Sequence, residues 1–240
     1  MKKIINILLI FILSFNIKLF AESGFEALLN IPLGASFGIF NGEIESIGNA
    51  PKINTKAGFD AGVNAQLGYM FAFGKFGLSI LADLGYSYDS FKYSLYHSVS
   101  AFGGSEEYNI ENSLYLHSFQ IGIIPKLNFG AFSLGIGGGV KIPISGTSES
   151  KTIKTINIFG STSKTEDYLK KDYKSSDYSS SIIGYVKMTF DYSFFFTSKL
   201  AFNLGAYIGY DIGISTKDTD NRIDSFDTGI QLALRFAPIL

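Results

Sequence analysis

The residues able to do chemistry are spaced charges set among small and apolar neighbours: Glu26, Asp60, Asp83, Asp89, Asp191, Asp211 and Asp227, with Lys126, Lys141, Lys187 and Arg235. Such groups form ion pairs, and where carboxylates crowd they hold a proton or a cation. Nucleophilic catalysis needs a nucleophile, a base and an orienting group within reach of one another. The chain has two histidines and no cysteine. His97 is followed by Ser98 in a polar stretch, and His117 falls on the face opposite the charges, so no such arrangement is assigned. Nor is there a Cys/His metal cluster, and the glycine run Gly135–Gly139 lies within an alternating segment rather than at a phosphate-binding turn. No cofactor is implied, and the expected chemistry is ion pairing rather than catalysis.

The segments that carry these charges alternate with period two. In Leu200–Ile214, Leu200, Phe202, Leu204, Ala206, Ile208, Tyr210, Ile212 and Ile214 share one face. Ala201, Asn203, Gly205, Tyr207, Gly209, Asp211 and Gly213 share the other, which is strand periodicity and excludes an amphipathic helix. The same pattern predicts strands over 25–39, 57–73, 76–89, 114–129, 132–145, 181–196 and 226–236, eight in all. Pro125 is expected to mark a local irregularity. Phe73-Gly74-Lys75-Phe76 and Phe129-Gly130-Ala131-Phe132 are two-residue type II′ hairpins, and 197–199 form a three-residue turn. The remaining connections, 40–56, 90–113, 146–180 and 215–225, read as loops.

Short turns on one side and long loops on the other, around an even number of strands, describe an all-β, eight-stranded antiparallel up-and-down transmembrane β-barrel. Phenylalanines flank the short turns as one aromatic girdle; Tyr86, Tyr88, Tyr115 and Phe226 supply the other. A soluble lipocalin-like barrel, apolar inside, is the competing architecture. Glycines on the polar face, which suit a narrow interior, and aromatics at the strand ends favour the membrane form. Mean hydropathy is +0.21 with no long apolar run beyond the N-terminus, as dispersed alternation requires.

Residues 1–21 read as a secretory signal peptide, with Lys2 and Lys3 before an apolar stretch and a cut after Ala21; residues 22–240 are then the barrel domain. Losing Lys2, Lys3 and Lys18 makes the formal charge of −1 more negative, which argues against a nucleic-acid partner. The chain resembles the small outer-membrane barrels of the OmpA/OmpX and opacity-protein type, in strand count, loop asymmetry and leader. The resemblance implies the outer membrane of a diderm bacterium, surrounding lipid, and a barrel-assembly machinery that reads a terminal aromatic, for which Phe236 is the candidate.

Within that architecture Glu26 and Arg235 meet across the seam between the first and last strands. Asp83, Lys126, Lys141, Lys187, Asp191, Asp211 and Asp227 fill the lumen. Pairing Phe73 with Phe76 sets Asp60 opposite Asp89 at the outer rim, a pair that asks for a shared proton, a cation, or a base such as Lys141. The expected role is a structural or adhesin-like surface protein with a plugged lumen, its loops, with Tyr93, Tyr96, Tyr108, Tyr168, Tyr173 and Tyr178, meeting a host or surface ligand. A small porin is the alternative; a lipid-modifying enzyme ranks below both.

Overall fold

A computed structural model describes residues 22–42, 51–101, 103–174, 182–215 and 222–238. The signal-peptide segment and Tyr178 lie outside these. Among the described residues there are nine strands and no helix: β1 (Gly24–Asn41), β2 (Lys52–Phe73), β3 (Phe76–Ala101), β4 (Gly104–Phe129), β5 (Phe132–Ile158), β6 (Ser161–Lys174), β7 (Ile183–Phe195), β8 (Leu200–Ser215) and β9 (Arg222–Phe236). Every pairing is antiparallel. Sheet order is β4-β3-β2-β1-β9-β8-β7-β5-β6, and β4 also pairs β5. That last pairing closes a ring of eight strands, up and down in sequence order, with β6 standing outside it on the far half of β5.

The ring is apolar outside and polar inside. Phe25, Leu67, Phe71, Ile123, Ile136, Phe190, Leu204 and Ile230 are exposed, while Glu26, Asn30, Gln66, Asp83, Lys126, Asp191, Asn203, Gln231 and Arg235 are buried. Such a distribution is stable only where lipid, not water, covers the outer face. The short turns close as their residues dictate. Gly74 (φ 68°) and Gly130 (φ 59°) take the left-handed position of each two-residue turn, and Phe73 pairs with Phe76 and Phe129 with Phe132. At the third turn Phe196 donates its N–H to the Leu200 carbonyl at 3.1 Å, and the Thr197 hydroxyl accepts from the Leu200 N–H at 2.9 Å. Rings line this end, with Phe73 on Phe76 at 5.5 Å and Tyr192 against Phe132 and Phe194 at 4.8 and 4.6 Å.

The expected loops are corrected at the other end. Residues 90–101 and 104–113 are the upper halves of β3 and β4, and residues 146–174 are the β5–β6 hairpin turning at Phe159-Gly160. The strands around 40–56 and 215–225 also run further than expected, to Asn41, from Lys52, to Ser215 and from Arg222. Above Phe91 and Ser94 neither face of these extensions is packed into a core, so no apolar alternation marks them; Thr and Ile in 152–158 supply β propensity instead. The irregularity expected at Pro125 lies on its β5 side: the β4–β5 ladder skips Ile124 and Pro125 without changing register, while the β3–β4 register runs through Pro125 to pair with Ile80. The β4–β5 shift comes at His117/Ser118.

A sealed polar lumen as the candidate functional site

Each strand contributes inward side chains at every second residue, and the ring is narrow enough for them to meet across it. The layer nearest the short turns is centred on Arg235, from β9. Its Nε donates to Glu26 Oε1 at 2.8 Å, Nη1 to Ser193 Oγ at 2.9 Å, and Nη2 to Asn128 Oδ1 at 2.9 Å. Ser79 donates to the second Glu26 oxygen and accepts from Asn128 Nδ2 at 2.7 Å. Arg235 is opposite Leu28 in register, so it reaches Glu26 diagonally along β1. Above it, Lys126 pairs with Asp191 at 3.0 Å, and Gln231 donates to the other Asp191 oxygen.

Asp83, on β3, is fully buried and is met by neutral donors: Gln66 Nε2 at 3.2 Å, the Tyr185 hydroxyl at 3.0 Å, Gln120 Nε2, and Asn64 Nδ2 at 3.5 Å. Those donors offset the cost of taking a carboxylate out of water. Tyr185 crosses from β7 because Gly122 leaves room, since a Cβ there would lie 2.1 Å from its hydroxyl oxygen. Gly34 does the same for Tyr207, at 2.3 Å.

The outer layer holds Asp60, Asp89, Asp211 and Asp227. Lys141 bridges two of them, with Nζ 2.7 Å from Asp89 and 2.6 Å from Asp211. Asp60 accepts from the Tyr207 hydroxyl at 2.7 Å, and Asp227 from Ser225 at 3.1 Å. The β2–β3 register holds from Phe73↔Phe76 to Ala61↔Tyr88 and then shifts before Lys56, so the ladder does not pair Asp60 with Asp89, although both carboxylates stay buried in one cluster. In that irregularity Ser90 turns onto the Phe59 backbone, donating to its carbonyl at 2.9 Å and accepting from its N–H at 2.6 Å. The Lys141 ammonium takes the place beside Asp89 that a cation would fill. Among the described residues no group of three or more His, Cys, Asp or Glu is arranged to hold a metal ion. Lys187 sits over the Tyr207 ring, 4.4 Å from its centre.

Side chains crowd both ends of this column among the described residues. Below lies the Arg235 network. Above, Phe91, Leu116 and Ile183 are fully buried and pack with Leu114, Tyr173 and Ile223. Between them a cavity of about 30 Å³, lined in part by Asp60, Asn64, Lys187, Tyr207 and Asp227, has room for a water or two. At the rim Asp224 accepts from Asn41 Nδ2 at 2.6 Å, the Tyr210 hydroxyl at 2.7 Å, Arg222 Nε at 2.7 Å and the Gly213 N–H at 2.8 Å.

The charges stand out in the sequence; their uncharged partners and the apolar cluster above them do not. Asn128, Gln120, Tyr185 and Tyr207 carry a signal, since their positions fall on the inward face. Asp224 was concealed in an expected loop. Of the histidines, His117 faces outward with Nδ1 2.6 Å from the Tyr86 hydroxyl, and His97 lies on β3 opposite Tyr108.

No protein-family model and no curated protein matches the sequence. Solved structures similar to the chain include Ail, the attachment invasion locus protein of Yersinia pestis, in complex with the heparin analogue sucrose octasulfate. It is 11% identical over 88% of this chain and 99% of that one, with a TM-score of 0.31. Neisserial surface protein A is 10% identical over 90% and 99%, with a TM-score of 0.30. The transport unit of the Escherichia coli autotransporter AIDA-I is 13% identical over 94% and 92%, with a TM-score of 0.27. By its own strand order and its inverted polarity, this chain is an eight-stranded, up-and-down, membrane-spanning β-barrel.

Proposed function

We propose that the chain is a non-conducting, non-enzymatic outer-membrane barrel whose extracellular strands form a rigid surface for contact with a partner outside the cell. One observation carries the reading. Ion pairs and an apolar cluster fill the lumen, while β3, β4, β5 and β6 continue far above the apolar belt as one four-stranded sheet. A filled lumen removes the passage of solutes as a reason for the barrel. Strands held in register keep a projecting sheet in one shape, and a surface on a rigid scaffold is suited to recognition. Exposed Tyr96, Tyr168 and Leu169 give that sheet apolar contact area between its lysines and acids. The leader and the aromatic rows at both ends support export to an outer membrane.

The test is adherence of cells displaying the full chain against cells displaying a trimmed one. Residues 150–169 are replaced by Asn-Gly, joining Glu149 and Lys170, which are register partners. Adherence to host-cell or matrix-coated surfaces should be lost while the barrel still folds, as read by heat-modifiable gel mobility. Equal adherence of the trimmed chain rejects the sheet as the contact surface.

A further inference from the structure

One outward patch is not used by that reading. On β2 and β3, Lys56 and Lys92 are direct register partners, and like charges directly opposite destabilise a sheet. Lys56 has Glu111 at 3.6 Å, both about half exposed. Among the described residues Lys92 has no carboxylate within ion-pair distance; Glu149, two strands away in the same row, is taken by Lys170 at 3.2 Å. Instead the Lys92 ammonium lies over the Tyr115 ring, 5.2 Å from its centre. Tyr115 stacks on Tyr88 at 6.4 Å and 15°. Tyr88 in turn lies 5.2 Å from His117, which is tied to Tyr86.

These residues share the side of the barrel that carries the exposed apolar belt. Ser90 is turned onto the Phe59 backbone, so Lys92 is the next outward side chain above Tyr88. A cation at the upper edge of an aromatic row stands at the height of lipid headgroups. We propose that Lys92 and Lys56, with Tyr88, Tyr115 and His117 below them, bind the phosphorylated headgroup of a lipid in the protein's own outer leaflet. The phosphate relieves the lysine–lysine repulsion, the tyrosines flank the headgroup, and the acyl chains lie on the apolar belt beneath. The occupant is a lipid rather than a soluble anion because the patch opens toward the bilayer side. The inference rests on the membrane-barrel reading.

The probe is diphosphorylated lipid A, added to the full mature barrel in neutral detergent, with the thermal midpoint read from the folded gel band. Lipid A should raise the midpoint of the wild type and of Lys75→Gln, a control at the opposite end of the barrel. For Lys56→Gln/Lys92→Gln the lipid concentration giving half the shift should rise roughly tenfold or more, as for loss of charge-assisted hydrogen bonds. Lipid A stripped of phosphate should give little shift, and inorganic phosphate alone none. An unchanged response of the double variant, or an equal response to the stripped lipid, overturns the site. Equal protection by inorganic phosphate overturns the lipid as occupant. Insertion of all variants into phosphatidylcholine vesicles scores the membrane reading separately. Failure there rejects the barrel assignment, whereas insertion without phosphate dependence rejects only this site.

Discussion

Arg235 shows what a single side chain does in this molecule. It is buried near the end where the barrel closes, with Glu26, Asn128 and Ser193 as partners from three other strands. A buried ion pair adds little over a well-packed apolar replacement, but losing one partner leaves a bare buried charge, at a cost of about 3–5 kcal/mol. Arg235→Met should therefore lower unfolding stability in lipid vesicles by about that amount, and Glu26→Gln in the same chain should restore part of it. Urea titration of both variants checks this; additive losses would mean that the two residues act separately. The positions of these charges were legible because inwardness follows from parity. Their partners were not. Which residues meet across a lumen depends on how far each strand slides against the next, and Asp60 shows the limit. A short-turn register places it opposite Asp89, yet the ladder lapses at 56–61 and its hydrogen bond comes from Tyr207, on the other side of the ring. Nothing in residues 56–61 announces that lapse.

At the scale of elements, the sequence is plain where one face meets lipid and opaque where both faces meet water. Leu204 sits in an alternating stretch and is exposed on the outer face of β8. Leu204→Arg should cost about 2–4 kcal/mol near the bilayer midplane and reduce the folded fraction in an assembly assay, while Leu204→Phe should leave it unchanged. The β5–β6 hairpin is the opposite case. Residues 146–174 mix Ser, Thr, Lys and acids without alternation, and their strand character comes from pairing with β4 and with each other. Cross-strand charges tie them: Lys151 to Glu166 at 3.3 Å and Lys170 to Glu149 at 3.2 Å. Hydrogen bonds from Lys164 and then Lys151 hold the Glu166 carboxyl below the usual glutamate range, and the hydrogen bond with Glu149 raises Lys170 above the usual lysine range. A lowered carboxylate stabilises the folded hairpin above its unfolded pKa, and that contribution is lost as pH falls through the folded one. A raised lysine stabilises it below its unfolded pKa, and that contribution is lost as pH rises through the folded one. Amide exchange in β6, corrected for its intrinsic pH dependence, should therefore be slowest near neutrality and speed up below the carboxylate range. Exchange in β6 that showed no pH dependence after correction would show that these pairs do not hold it.

At the scale of the whole molecule, polarity is inverted and the inside is filled with paired side chains. That filling predicts silence in planar bilayers: the reconstituted chain should show no steady single-channel openings, whereas stepwise conductance would make the Phe91–Leu116–Ile183 cap a gate. Inversion is the deeper claim, because lumen, belt and lipid-facing patch all depend on it. The chain has no cysteine, so one introduced cysteine gives one label. The most direct measurement places a bimane at Leu204, Ile230, Asn203 or Gln231 in turn, in barrels reconstituted with and without doxyl-labelled phospholipid. Leu204 and Ile230 face outward, and Asn203 and Gln231 are buried in the lumen. Strong quenching is expected at the first two positions and weak quenching at the others, alternating along each strand. Equal quenching at all four, or the reverse pattern, would contradict it.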